Sequence, residues 1–181
     1  MIIDQSYFTQ GYLVVPNLNQ PHIIALVNNY IEVHEDKLLS LALGETMKAA
    51  LLEGLAEDTV EERWSKLKDG FVFDTNSGTK QSFVGLAPAN QIKQGVIAPY
   101  VYFYLVRENL TTFTGSAVTV TATENSMAAS PMQKLSQAWN NCASEVRKLW
   151  YYLRNNKDLY PEFNEQEIDY TAFANVNAFG I

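Results

Sequence analysis

Seven apolar residues near the end of the chain, Leu135, Trp139, Cys142, Val146, Leu149, Trp150 and Leu153, recur at intervals of three and four. That spacing places them on one side of a single α-helix. Ser130-Pro131 marks its start, because serine caps a helix and proline suits the first helical position. The helix is predicted over 131–156, with Pro161 beyond its end. An apolar stripe of this length has to be covered, so the rest of the chain must supply partners for it.

Other helical patterns supply them. Pro21 opens one, with Ile23, Leu26, Val27, Tyr30, Ile31, Leu38 and Leu41 at helical spacing. Gly44 is the predicted stop, since glycine accepts the left-handed conformation found at helix ends. A further helix is predicted over Glu45–Leu55. Thr59-Val60-Glu61-Glu62 fits a capping box and opens another, carrying Trp64 and Leu67 and closed by Asp69-Gly70. Pro88 opens a helix predicted over 89–109, with Ile92, Val96, Tyr100, Phe103 and Tyr104 on its face and a kink expected at Pro99.

Three stretches depart from this period. Phe71-Val72-Phe73 and Gln81-Ser82-Phe83-Val84 flank Thr75-Asn76-Ser77-Gly78 and read as a β-hairpin within 71–86. Tyr12-Leu13-Val14-Val15 reads as the extended part of an N-terminal arm over 1–18. In 110–130, threonines alternate with Val118, Val120 and Ala122, which predicts a β-ribbon loop. Residues 157–181 read as an irregular C-terminal arm with Phe163, Ile168, Tyr170, Phe173 and Phe179 as anchors. The fold class expected is mainly α in a single domain over 1–181.

Charge narrows the function. The chain of 181 residues has 13 Lys+Arg against 20 Asp+Glu, a net charge of −7, which argues against broad phosphate-driven nucleic-acid binding. Residues 131–157 nevertheless carry Lys134, Arg147, Lys148, Arg154 and Lys157 against Glu145 alone, and 158–181 carry five acids and no base. The acidic arm is expected either to remain solvated or to dock on a basic face, its own or a neighbour's. No apolar run approaches the roughly 18 residues of a membrane span, and Met1-Ile2-Ile3-Asp4 lacks the shape of a secretory signal.

No catalytic set emerges. His22 and His34 lie twelve residues apart, about 18 Å of helical rise, too far to share a metal ion; both are expected at the surface or a helix end. Glu35-Asp36 reads as a solvated face. Cys142, the lone cysteine, belongs to the apolar stripe and is expected to behave as a small buried hydrophobe. The aromatic run Tyr100–Tyr104 has only Lys93 and Arg107 beside it, so packing is the expected role. No catalytic, metal or cofactor site is assigned.

The order of features has a likeness. The arm Tyr7-Phe8…Gly11-Tyr12-Leu13-Val14-Val15-Pro16-Asn17-Leu18 is followed by Leu41-Ala42-Leu43-Gly44, then by Glu62-Arg63-Trp64-Ser65-Lys66-Leu67-Lys68-Asp69-Gly70. Next come Ile97, Tyr100-Val101-Tyr102-Phe103-Tyr104-Leu105-Val106-Arg107-Glu108-Asn109, the Thr/Val stretch, Glu124-Asn125, Ser130-Pro131, Lys134-Leu135, Ala138-Trp139-Asn140 and Asn177-Ala178-Phe179-Gly180-Ile181. In this order the chain resembles the head–tail connector (neck, or head-completion) proteins of tailed bacteriophages, closest to those of Bacteroides-infecting and crAss-like phages. Pro99 and Phe83-Val84-Gly85-Leu86 depart from that pattern.

The resemblance implies a helical bundle with a short β-hairpin, a protruding β-ribbon loop and extended N- and C-terminal arms. It implies a virion protein without an active site, assembled in the host cytoplasm as a ring of about a dozen copies in the neck. Its expected partners are further copies of itself, the portal protein and neighbouring neck or tail rings. Phage DNA would pass through without specific binding, and no membrane is involved. A head-to-tail ring needs two complementary patches per subunit. The candidate contact residues are Tyr12 and Val14 on the arm, Val118, Val120 and Thr121 on the ribbon, and Lys134, Arg147, Lys148 and Arg154 on the long helix. Phe173, Phe179 and Ile181 on the C-terminal arm complete the set. A tail-terminator or tail-completion ring is the near alternative. A DNA-binding accessory protein is the distant one, and it needs the basic residues to converge on one open face.

Overall fold

The computed structural model describes residues 1–90, 93–109 and 131–176. The order is a 3-10 turn at Gln5–Phe8, a second at Gly11–Leu13, α1 (Pro21–Ala56), α2 (Glu62–Asp69), β1 (Phe71–Asp74), β2 (Lys80–Phe83), α3 (Ile97–Asn109), α4 (Pro131–Asn155) and a 3-10 turn at Glu165–Glu167. The described chain is mainly α with one short antiparallel hairpin. The ribbon expected over 110–130, with Val118, Val120 and Thr121, lies outside the described residues, as do Phe179 and Ile181.

The stripe on α4 organises the core. Leu135, Cys142, Val146, Leu149, Trp150 and Leu153 are all buried, joined by Ala138 and Ala143. Helix α3 packs on both α4 and α1, with Tyr100, Val101 and Leu105 buried between them. The hairpin pairs Phe71 with Phe83 and Phe73 with Gln81. Phe71 and Phe73 turn their rings onto Tyr152 of α4, at 4.3 and 5.3 Å between centroids. No described helix is long and apolar enough to cross a membrane.

The N-terminal arm is a correction. Residues 5–8 and 11–13 form 3-10 turns instead of a strand, and Ile3, Tyr7, Phe8 and Leu13 enter the core. The adjacent Tyr7 and Phe8 are both buried in the first of these turns, where a strand would bury alternate residues. Glu35 secures the start: its buried carboxylate accepts hydrogen bonds from the N–H groups of Ile2 (2.7 Å) and Ile3 (3.0 Å). The solvated face expected at Glu35-Asp36 therefore applies to Asp36 alone, which is exposed and paired with Lys48.

Two helix starts also differ. Helix α2 begins at Glu62, and its N-cap, Glu61, makes no side-chain capping bond, so the capping box at Thr59 does not form. Helix α3 begins at Ile97, not near residue 89. The chain before it pairs elsewhere: Leu86 and Ala87 donate to the carbonyls of Leu67 and Lys68, while Val96 and Ile97 donate to Leu86. Pro99 then falls in the first turn of α3, where a backbone N–H has no intrahelical acceptor, so no kink is needed.

Helix α1 is broken at Gly44, which has φ 76° and ψ 164°. The expected stop and restart are therefore present, without an intervening loop. In an unbroken helix the Ala42 carbonyl would accept from the Thr46 N–H. Instead the Trp150 indole N–H donates to Ala42 O at 2.7 Å. Thr46 N–H donates to Glu167 Oε2 at 3.0 Å, and its hydroxyl to Oε1 at 2.7 Å. A Cβ at position 44 would stand 2.6 Å from Glu167 Oε2. Gly44→Ala is expected to lower the unfolding free energy by about 1–3 kcal/mol through left-handed strain and displacement of the Glu167 cap. The measurement is the urea midpoint at unchanged slope; an unshifted midpoint would mean that the break bears no strain.

Candidate functional site

The sequence feature to resolve is where the acidic C-terminal arm meets the basic helix. Over the described residues it docks on its own chain. Glu165 pairs with Arg154 (3.0 Å) and Lys157 (2.6 Å), and Glu162 pairs with Arg63 (2.9 Å). Tyr160, Phe163, Ile168 and Phe173 are buried, whereas Tyr170 is exposed. The arm is irregular, as expected, apart from the turn at Glu165–Glu167.

Beyond Ile168 the arm reaches the outer side of α4, where three side chains grip it. Arg147 donates to Phe173 O (2.8 Å) and to Asn175 Oδ1 (2.8 Å). Trp139 Nε1 donates to Ala174 O at 2.7 Å. Asn140 holds Val176 twice: its Nδ2 donates to Val176 O at 2.8 Å, and its Oδ1 accepts from Val176 N at 2.9 Å. The Phe173 ring sits among Trp150 (5.6 Å, edge-on), Trp139 (6.1 Å) and Tyr100 (6.2 Å). Together these groups hold the end of the described arm, with hydrogen bonds to its main chain and an aromatic pocket around Phe173.

The candidate contact residues are divided by this arrangement. Arg147 and Arg154 both face the arm, and Phe173 is buried in the core of its own chain at 1 % exposure. Lys148 turns the other way, pairing with Glu145 and donating to Ser82 O at 3.1 Å. Glu145 accepts from Val84 N at 3.1 Å, so this ion pair covers the outer edge of β2. Lys134 and Val14 are exposed. Tyr12 is half-buried, and its hydroxyl accepts from Asn141 Nδ2 at 3.1 Å. Trp139 and Asn140 were not among the candidates. Their partners are backbone atoms, which no residue pattern labels.

Other chemistry is sparse. Among the described residues no three His, Cys, Asp or Glu side chains come together as a metal site would need. Cys142 is buried, and burial pushes its thiol far above the usual range, keeping it protonated. An open groove of about 370 Å³ is lined by Met1, Ile2, Leu52, Leu55, Ala56, Val60, Ser65, Lys68 and Asp69. Its surface is about equally polar and apolar.

His34 is a further correction. It is buried in the α1–α3 interface, stacked on Tyr104 at 4.4 Å and Tyr30 at 5.5 Å, with Tyr100 edge-on at 6.2 Å. Its Nδ1 is buried without a hydrogen-bond partner. The period of α1 turns His34 inward together with Ile31 and Leu38.

The profile of a family of unknown function, DUF6712, matches residues 43–168. The chain belongs to the DUF6712 family. That span includes Gly44, Trp150 and Glu167, so all the side chains that close the break in α1 lie within the DUF6712 match; the arm segment Phe173–Val176 lies beyond it. Comparison with curated proteins and with solved structures finds no match.

The histidine gives this DUF6712 member a pH dependence. Burial holds the His34 pKa below its ordinary value of 6.5; the Glu108 carboxylate opposes that shift and the Lys37 ammonium reinforces it. The folded state thus favours the neutral ring, while the unfolded chain takes up a proton near 6.5. Stability contributed by neutral His34 is complete above that value and is lost as pH falls from about 6.5 towards the depressed folded pKa. His34→Gln is expected to flatten the fall in stability between about pH 7 and pH 5, measured by urea unfolding across that range. An unchanged slope would assign the dependence to other groups.

Proposed function

We propose that this DUF6712 protein is a structural virion protein of a tailed bacteriophage, forming an oligomeric ring in the neck that joins the portal to the tail and extends the DNA channel. The observation that carries this reading is the ordered likeness to connector proteins along nearly the whole chain. The mainly helical architecture is compatible with it. So is a surface on α4 that holds peptide backbone, since a ring is built from adhesive contacts between chain segments.

The charge distribution favours this reading over a DNA-binding accessory protein. Arg147, Arg154 and Lys157 are engaged by the chain's own arm, and Lys148 by Glu145 and β2. Four of the five basic residues are thus paired within the chain, on a protein of net charge −7, and that net charge works against phosphate. Such a surface suits the passage of DNA without retention. A tail-terminator ring would use the same architecture against a different neighbour.

The test is mass by light scattering, first on the purified chain and then with the portal ring from the same genome. The expected result is a 20.4 kDa monomer alone and a multi-copy ring on the portal, about a dozen chains. A chain that ignores the portal but retards DNA with a steep salt dependence would overturn the connector reading.

A further inference from the structure

Two guanidinium groups on α4 keep charge that the fold does not neutralise. Arg147 donates to Phe173 O and Asn175 Oδ1, both uncharged acceptors. Arg154 gives its Nε to Glu165, a carboxylate it shares with Lys157. Three cations therefore face one anion, and among the described residues no other carboxylate pairs with them. The two arginines line an open pocket of about 300 Å³ with Trp150, Tyr151 and Tyr170. Arg154 lies over the Tyr170 ring at 5.5 Å, and Tyr170 meets Trp150 edge-on at 4.9 Å. Both guanidiniums are thus held in place with N–H donors to spare, the arrangement that takes a carboxylate in a fork.

The second half of α1 ends in the opposite condition. Glu53, Glu57 and Asp58 are exposed, and none of their carboxylates makes an ion pair or a hydrogen bond among the described residues. The last turn of α1 contains no basic residue, so these acids stand at the negative end of the helix dipole, where they are unfavourable. The next acids, Glu61 and Glu62, are already paired with Arg63 and Lys66. Beside the unpaired acids, Leu52 and Val60 are exposed and line the groove of about 370 Å³. A cation brought to this end from another molecule relieves both the repulsion between like charges and the clash with the dipole.

We propose that the acidic end of α1 in one copy docks on the Arg147–Arg154 pocket of a second copy, with Glu53, Glu57 and Asp58 accepting from the two guanidiniums and Leu52 and Val60 packing against the exposed Tyr170. Charge complementarity names the occupant. The chain carries both halves of an ionic contact, no hydrogen bond, ion pair or ring contact joins the halves within it among the described residues, and a second copy supplies the missing half. The two patches share no residue, so the contact is heterologous and each copy keeps one patch free for the next. A nucleic-acid strand fits less well, because the carboxylate of Glu165 sits beside the arginine pair, where a phosphate backbone needs a run of bases. The neck ring as the setting rests on the proposed function; the contact does not.

Sedimentation of the full-length chain over a range of concentrations tests this, at about 20 mM and about 300 mM salt. At low salt and rising concentration the average mass of the wild type is expected to climb above 20.4 kDa, and at high salt to stay there. Glu53→Lys with Glu57→Lys, and Arg147→Glu with Arg154→Glu, are each expected to weaken the association about tenfold or more. Mixed in equal amounts, the two reversed variants are expected to associate as the wild type does, since each reversed patch meets its complement on the other variant. Glu57→Lys and Arg154→Glu serve singly should a double variant lose helicity by circular dichroism. A wild type that stays at 20.4 kDa at low salt, or a mixture of folded variants that does not associate, overturns the contact. So does retardation of a single-stranded DNA oligonucleotide that is lost in the arginine variant, which would give the pocket to phosphate. A chain that rings the portal without associating at low salt removes this contact and leaves the connector reading standing; rescue in the mixture by a chain that ignores the portal does the reverse.

Discussion

The break in α1 at Gly44 sets the positions of two distant parts of the chain. A broken helix leaves a carbonyl and an N–H that have lost each other, and an unpaired buried polar group costs about 1–3 kcal/mol. Ala42 O, which is buried, recovers a donor only when α4 lies where Trp150 can reach it, while the exposed Thr46 N takes Glu167 of the C-terminal arm as its acceptor. The two Thr46 bonds hold the Glu167 carboxyl below its usual range. An acid at the start of the second half of α1 also complements the helix dipole. The joint is thus a hydrogen-bonding constraint on α4 through Ala42, to which the arm adds an exposed cap through Thr46.

Ion pairs do less to hold the arm than their number suggests. Arg154 and Lys157, the partners of Glu165, are more than half exposed, and exposed pairs of this kind contribute about 0–1 kcal/mol. Phe163, Ile168 and Phe173 are each buried, and each full burial is worth about 1.5–3 kcal/mol. The charge asymmetry between helix and arm therefore guides the docking, and apolar burial with backbone pairing holds it. This explains how the protein can carry a visible +4 and −5 division in its sequence and yet neutralise much of it internally.

What was legible in the sequence was what a short window determines. The stripe on α4, the proline at its first position, the glycine break in α1 and the hairpin all follow from local spacing and backbone preference. The features that were not legible depend on a partner far along the chain. Glu35 looks like a solvated acid until the N–H groups of Ile2 and Ile3 are brought to it, and His34 looks like a surface residue until Tyr104 stacks on it. The start of α3 differs from the local expectation because Leu86 and Ala87 pair with the end of α2 and Val96 and Ile97 pair with Leu86, and local propensity carries no trace of that pairing.

The candidate site shows the same division within a few residues of α4. Arg147 and Arg154 could be found from charge, because a basic helix followed by an acidic arm is visible in composition. Trp139 could be placed on the apolar stripe, but its indole N–H is directed at a carbonyl, and Asn140 offers only an amide. Both act on main-chain atoms that every residue possesses. A surface that recognises backbone leaves no complementary residue pattern in its ligand except the anchor, here Phe173, so it has to be found from coordinates.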